Sequence, residues 1–98
     1  MKMQSFINLF NAIEEDDRDA VKNYIAAGGN VNVIRTYDWQ NALHVAATYN
    51  RLYIAGLLLK AGCDTTVKDE TDATPLELAE YLGHILTANL IGQNQVQI

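Results

Sequence analysis

The feature that most restricts what this chain can fold into is its similarity to itself. Leu43-His44-Val45-Ala46-Ala47 returns thirty-three residues later as Leu76-Glu77-Leu78-Ala79-Glu80, and thirty-four residues earlier stands Leu9-Phe10-Asn11-Ala12-Ile13. Likewise Tyr24-Ile25-Ala26-Ala27-Gly28-Gly29-Asn30 precedes Leu58-Leu59-Lys60-Ala61-Gly62-Cys63-Asp64 by thirty-four. A repeat of this length marks units that stack on their neighbours, because one such unit cannot bury its apolar face alone. Three units, near 5–36, 37–69 and 70–92, and a tail at 93–98 account for nearly all 98 residues as a single domain, with one extra residue in the first connecting loop.

Each unit reads as two short helices. In the third, Thr74 is placed to cap the exposed amides, Pro75 fits the first helical position, and Glu77 can reach back to close a capping box. Asn41 is the matching cap in the second. The break between the paired helices falls at Asp16, Asn50 and Gly83, residue types that tolerate a left-handed backbone. Gly28 and Gly62 then end the second helices of units one and two. The segment 51–60 is apolar almost all round, as expected of a helix packed between neighbours on both sides. Ala12, Ala46 and Ala79 recur at one position, where helices must approach closely.

These motifs are similar to those of ankyrin repeats. Thr74-Pro75-Leu76-Glu77-Leu78-Ala79 resembles that family's Thr-Pro-Leu-His-x-Ala, with Glu77 in place of the histidine. Asn41-Ala42-Leu43-His44-Val45-Ala46-Ala47 keeps the Leu, His and both Ala without the Thr-Pro. Leu58-Leu59-Lys60-Ala61-Gly62-Cys63-Asp64 and Gly28-Gly29-Asn30-Val31-Asn32 resemble its Leu-Leu-x-x-Gly-Ala-Asp-Val-Asn. The resemblance covers roughly residues 5–92 and implies an all-α solenoid of three helix-turn-helix units joined by short hairpin loops. The departures at the first opening helix and at the close of the third unit suit terminal capping units.

Composition excludes several function classes. Seven basic against twelve acidic residues give a net charge of −5, which disfavours neutralising a nucleic-acid backbone. The ends carry the negative charge, with −2 over residues 1–33 and −4 over 67–98 against +1 over 34–66. Such a field either solvates the end units or steers a basic partner. No apolar run approaches a membrane span, and residues 1–10 lack the three-part plan of a secretory signal. A cytoplasmic protein is the expectation.

No catalytic constellation emerges. There is no glycine-rich phosphate loop, no Ser or Cys beside a base, and no His-Glu metal motif. One cysteine and two histidines are too few for a closed zinc site. The resemblance gives His44 and His84 structural roles near helix starts, and Cys63 stands where the repeat takes a small alanine. Residues 14–17 are acidic but lack the alternating ligands and central glycine of a calcium loop. The chain is expected to be no enzyme and to need no cofactor or metal.

In an ankyrin-like stack, the resemblance implies that partners meet a concave face formed by the first helices and the loops that project beside it as fingers. Finger one, residues 34–40, holds Arg35, Tyr37, Asp38, Trp39 and Gln40, with Trp39 where the family usually has glycine. Trp, Tyr and Arg commonly carry binding energy, so an aromatic centre there is a candidate anchor. The alternative is that Trp39 folds back over Leu43 and fills space. Tyr49 and Tyr81, at the ends of successive first helices, extend the candidate patch. Finger two, residues 68–73, contributes Glu70 and Asp72 either to a basic partner or to an ordinary solvated turn. Carboxylates at 14, 15 and 69 complete the expected acidic surround. Read as complete from Met1, the chain is expected to work by occupying a protein partner's surface, for example as an inhibitor or immunity protein for a basic partner. The alternative is a self-associating structural unit, a homodimer through its closing helix and tail.

Overall fold

The computed structural model describes residues 8–95. The first residues of unit one and the last of the tail, 5–7 and 96–98, lie outside it. Among the described residues there are six helices and no strand, apart from one isolated antiparallel bridge between Arg35 and Gln40. The helices are α1 (Leu9–Glu14), α2 (Arg18–Ala26), α3 (Ala42–Thr48), α4 (Leu52–Lys60), α5 (Pro75–Tyr81) and α6 (Ile85–Gln93). They pair as α1–α2, α3–α4 and α5–α6, and the pairs stack so that α1, α3 and α5 form one row and α2, α4 and α6 another. The stack measures 42 × 27 × 25 Å. The all-helical solenoid expected from the repeat is what the chain forms.

Local chemistry explains where each helix starts. Thr74 Oγ1 accepts the Glu77 amide at 3.2 Å while Glu77 Oε1 accepts the Thr74 amide at 2.9 Å, closing the expected capping box. Asn41 Oδ1 accepts the His44 amide at 3.0 Å, and the His44 ring answers, its Nδ1 accepting the Asn41 amide at 3.1 Å. An imidazole and a carboxylate thus serve the same third position of two units. The break between paired helices is left-handed at all three expected residues, with φ of 57° at Asp16, 57° at Asn50 and 76° at Gly83.

The residue after the second and third breaks ties its unit to the previous one. Arg51 donates from Nε to the Ile13 carbonyl at 3.1 Å and from its terminal nitrogen to the Glu14 carbonyl, satisfying the open end of α1. His84 stands at the same place one unit later, and its Nδ1 donates to the Ala47 carbonyl near the end of α3 at 2.8 Å. Thr87 Oγ1 donates to Asn50 Oδ1 at 2.8 Å. On the loop side, Asn32 Oδ1 accepts the Asp64 amide at 2.7 Å and Asn41 Nδ2 donates to the Asp64 carbonyl at 2.9 Å.

Ile13, Val21, Leu43, Val45, Ile54, Leu58 and Ile91 form the sealed core between the rows, and Ala12, Ala46 and Ala79 are buried with them. The segment 51–60 departs from its expected all-round burial. Arg51 lies outside α4 as its cap, Ile54, Ala55 and Leu58 are buried, and Leu52 and Tyr53 are exposed.

Candidate functional site

Finger one is a closed loop. The Arg35 amide donates to the Gln40 carbonyl at 2.8 Å, and the Trp39 amide donates to the Arg35 carbonyl at 2.7 Å. Within the loop the Arg35 guanidinium forks onto Asp38, Nε to Oδ1 at 3.2 Å and a terminal nitrogen to Oδ2 at 2.8 Å. The same nitrogen reaches Gln40 Oε1 at 3.2 Å, and the other lies 3.7 Å from Glu14 Oε2. The guanidinium also stacks within 5 Å of two ring centroids, Phe10 and Tyr37. The Asp38 carboxyl is held below its ordinary range, chiefly by the hydrogen bond from Arg35.

The second finger docks on the first. Gln40 Nε2 donates to Asp69 Oδ2 at 3.1 Å, and the Glu70 amide donates to the Asp38 carbonyl at 2.9 Å. Asp69 is buried inside its own turn, where Oδ1 accepts the Thr71 hydroxyl at 2.6 Å and the amides of Thr71 and Ala73 at 2.9 and 3.1 Å. Burial opposes the charged form, but the Thr71, Gln40 and Ala73 donors outweigh it and hold the Asp69 carboxyl down at about 2.

The sequence-derived site residues therefore divide by placement. Tyr37 is 74% exposed and Trp39 54% exposed, both on finger one, with Glu70 and Asp72 exposed on finger two. Arg35, Asp38 and Gln40 hold the fingers together from within, as does Asp69. Glu14 is engaged with Arg35, while Glu15 is exposed at the far end of α1. Tyr49 and Tyr81 stand at the C-terminal ends of α3 and α5, so Tyr49 is separated from the finger by the length of α3, about 12 Å of helical rise. Both are exposed, and the Tyr49 ring lies 5.9 Å from the Arg51 guanidinium.

Trp39 is only half covered, and its backbone is unusual for its residue type. It adopts φ of 60°, the left-handed region that favours the glycine usual in this family. Asp72, thirty-three residues on, occupies the same position of finger two with φ of 68°. A short polar residue tolerates that geometry, whereas an indole is an outlier.

The groups with latent chemistry are engaged elsewhere. His44 is fully buried, and its Nε2 donates to the Ala73 carbonyl at 2.8 Å, which leaves Nδ1 as the acceptor described above and the ring neutral. Burial lowers its pKa. Protonation therefore favours the unfolded chain, and stability is full above the ordinary histidine pKa of about 6.5 and declines as pH falls below it. Urea titrations at pH 7.5 and 5.5 should show the lower midpoint at pH 5.5, and His44→Gln should remove the difference. Burial pushes the Cys63 thiol up to about 11, and Sγ donates to the Val31 carbonyl at 3.4 Å, so it is a packed thiol at neutral pH. No group of three His, Cys, Asp or Glu among the described residues is arranged to hold a metal ion. A shallow groove of about 250 Å³ between α2 and α4 is smaller than usual small-molecule sites.

Sequence comparison meets this geometry at the repeat. The family described as "Ankyrin repeats (many copies)" matches residues 24–79, more than half of the chain. The chain belongs to the ankyrin-repeat family. Ankyrin repeats are protein–protein interaction modules, typically without catalysis of their own. The potassium channel AKT1 of Oryza sativa subsp. indica is 40% identical over 73 residues, 74% of this chain and 8% of the channel. Potassium channel GORK of Arabidopsis thaliana is 32% identical over 76 residues, 78% of this chain and 9% of that protein. The neurogenic locus notch homolog protein 1 of Mus musculus is 36% identical over 70 residues, 70% of this chain and 3% of its own length. The ankyrin chain thus spans less than a tenth of the length of these relatives. No helix among its described residues is long and apolar enough to cross a membrane.

Sequence reasoning missed Leu52 and Tyr53, which join Leu82 and the closing-helix residues Ile85 and Leu86, both expected as uncovered apolar surface, at the opposite edge from the fingers. Leu52, Tyr53, Leu82, Ile85 and Leu86 are exposed beside the turns between paired helices. The available signal was their position: each lies within three residues of a left-handed break, where a helix begins or ends and has no neighbour to cover it.

Proposed function

We propose that this chain is a non-catalytic recognition module that anchors a protein partner on Tyr37 and Trp39, with Glu70 and Asp72 beside them favouring a basic surface. Holding a basic partner by occlusion, as an inhibitor or immunity protein does, is the role its negative charge suits best. A cytoplasmic setting accords with the lone reduced Cys63.

The observation that carries this reading is Trp39 itself. A half-exposed indole on a left-handed backbone is unfavourable for folding on two counts, and a glycine at this position would remove both. A side chain this unfavourable for folding supports a contact outside the chain. Tryptophan at the centre of an interface is also the side chain whose loss is felt most.

The test is a pair of substitutions. Trp39→Ala should weaken binding to a partner captured by the wild-type chain by about tenfold or more. Trp39→Gly should do the same while raising the unfolding free energy by about 1 kcal/mol through relief of the left-handed strain. Calorimetric melts and titrations on the same preparations would report both. Retained binding together with a lowered melting temperature would overturn the assignment, since that is how a packing tryptophan behaves.

A further inference from the structure

We infer that the turn edge of units two and three is a second docking surface, shaped for a basic amphipathic helix of a partner protein. Of the nine large apolar or aromatic side chains exposed among the described residues, two lie on finger one. The other seven all lie at the helix-to-helix turns: Tyr49, Leu52 and Tyr53 in unit two, and Tyr81, Leu82, Ile85 and Leu86 in unit three. Tyr81, Leu86 and Ile85 are the most open, at 87, 68 and 62%.

These side chains share one edge because the turns are bonded to each other. His84 to Ala47 and Thr87 to Asn50 join the turns of units three and two, and Arg51 joins that of unit two to the end of α1. Tyr53 continues the contact, its ring 4.8 Å from the Arg18 guanidinium and 5.4 Å from Lys22 Nζ. The apolar strip therefore runs along two units and stops at the turn of the first. Contiguous exposure on that scale marks an interaction surface rather than scattered surface residues.

The first turn supplies the second half of the recognition. In place of apolar side chains it carries Glu15, Asp16, Asp17 and Asp19 against Arg18, and Arg18 is already within 3.4 Å of Asp16. An apolar strip ending in excess carboxylate complements a helix with an apolar stripe and basic residues toward one end. With neighbouring helices about 10 Å apart, the three turns span about 20 Å, the length of roughly 14 helical residues. The acidic end argues against an anionic lipid surface, and it offers nothing to a second copy of this net-negative chain.

The probe is a fluorescein-labelled 18-residue peptide of Leu and Lys, with Leu at i, i+3, i+4 and i+7, titrated into the full chain by fluorescence anisotropy. Saturable binding that tightens at low salt is expected. Ile85→Gln with Leu86→Gln should weaken it by about tenfold or more, and Tyr81→Gln by severalfold. Glu15→Gln with Asp19→Asn should weaken it and flatten its salt dependence. Circular dichroism and a thermal melt establish that each variant folds, and the high exposure of Ile85, Leu86 and Tyr81 means the fold does not rest on them. Equal binding of a peptide with Glu for Lys, or of one with the Leu order permuted, would sink the proposal. So would wild-type affinity in the Ile85 and Leu86 double variant, or loss of binding on Trp39→Ala, which would place the peptide on the fingers. A dimer in sedimentation that the double variant dissociates would assign the strip to a second copy, and co-sedimentation with phosphatidylcholine vesicles would assign it to lipid. Either result overturns the proposal.

Discussion

Replacing His44 with alanine should lower the unfolding free energy by about 3 kcal/mol, a large fraction of what a domain of this size possesses. The ring is fully buried and works in two directions at once. Nδ1 accepts the Asn41 amide within α3's own cap, and Nε2 donates to the Ala73 carbonyl of the next unit. Alanine leaves that donor and that acceptor without partners and opens a cavity beside them, and each unsatisfied buried group costs about 1–3 kcal/mol. The melting temperature should fall by about 15 °C, on the scaling for domains near 100 residues. His44→Gln separates the two duties. A glutamine oxygen can close the cap as Glu77 does in unit three, but it does not reach the Ala73 carbonyl, so about half the loss should return. An equally unstable glutamine variant would show that the bridge to Ala73 carries nearly all of the effect.

The second large effect should come from Asp69→Ala, about 2 kcal/mol. Its carboxylate gathers the Thr71 amide and hydroxyl, the Ala73 amide and the Gln40 side chain, and so fastens finger two both to itself and to finger one. Because the folded carboxyl is depressed to about 2, the stability it contributes is complete above the unfolded value near 3.8 and disappears as pH falls from there to about 2. Wild type and variant should therefore differ most above pH 4 and converge near pH 2. Urea midpoints measured at pH 5, 3.5 and 2 would trace the convergence. A constant gap across that range would mean that the lost stability comes from side-chain volume or backbone rather than from the ionised group.

Much of this architecture was legible in the residues before any coordinates. The period places six helices, and the three unlike residues Asp16, Asn50 and Gly83 share one left-handed turn because only such types adopt it without strain. The Thr74 cap was legible from a local rule acting within a few residues, whereas the structural use of both histidines and of Cys63 was legible only through the family resemblance, since their partners Ala73, Ala47 and Val31 lie 29, 37 and 32 residues away. The candidate site was less so. Arg35, Asp38 and Gln40 have the side chains of a binding loop, but which of them faces inward depends on Glu14 and Asp69, which lie 21 and 29 residues from the nearest of them and meet them only in the stack. The exposure of Ile85 and Leu86 was expected of a closing helix, but that of Leu52 and Tyr53 was hidden for a different reason. Helical periodicity reports which face is apolar, not whether a neighbour extends far enough to cover the first turn. The left-handed backbone of Trp39 was equally hidden, because loop composition does not report a positive φ at a non-glycine residue.

The guanidinium of Arg35 has a consequence for how quickly, as well as how tightly, anything can be seized. With its donors already committed to Asp38, Gln40 and Glu14, the loop that bears Tyr37 and Trp39 would, in the proposed role, meet an arriving molecule in its final shape. Little conformational freedom beyond the rotation of two ring systems is left to surrender on complexation. Capture then needs no prior rearrangement of the chain, and mutual approach sets its pace.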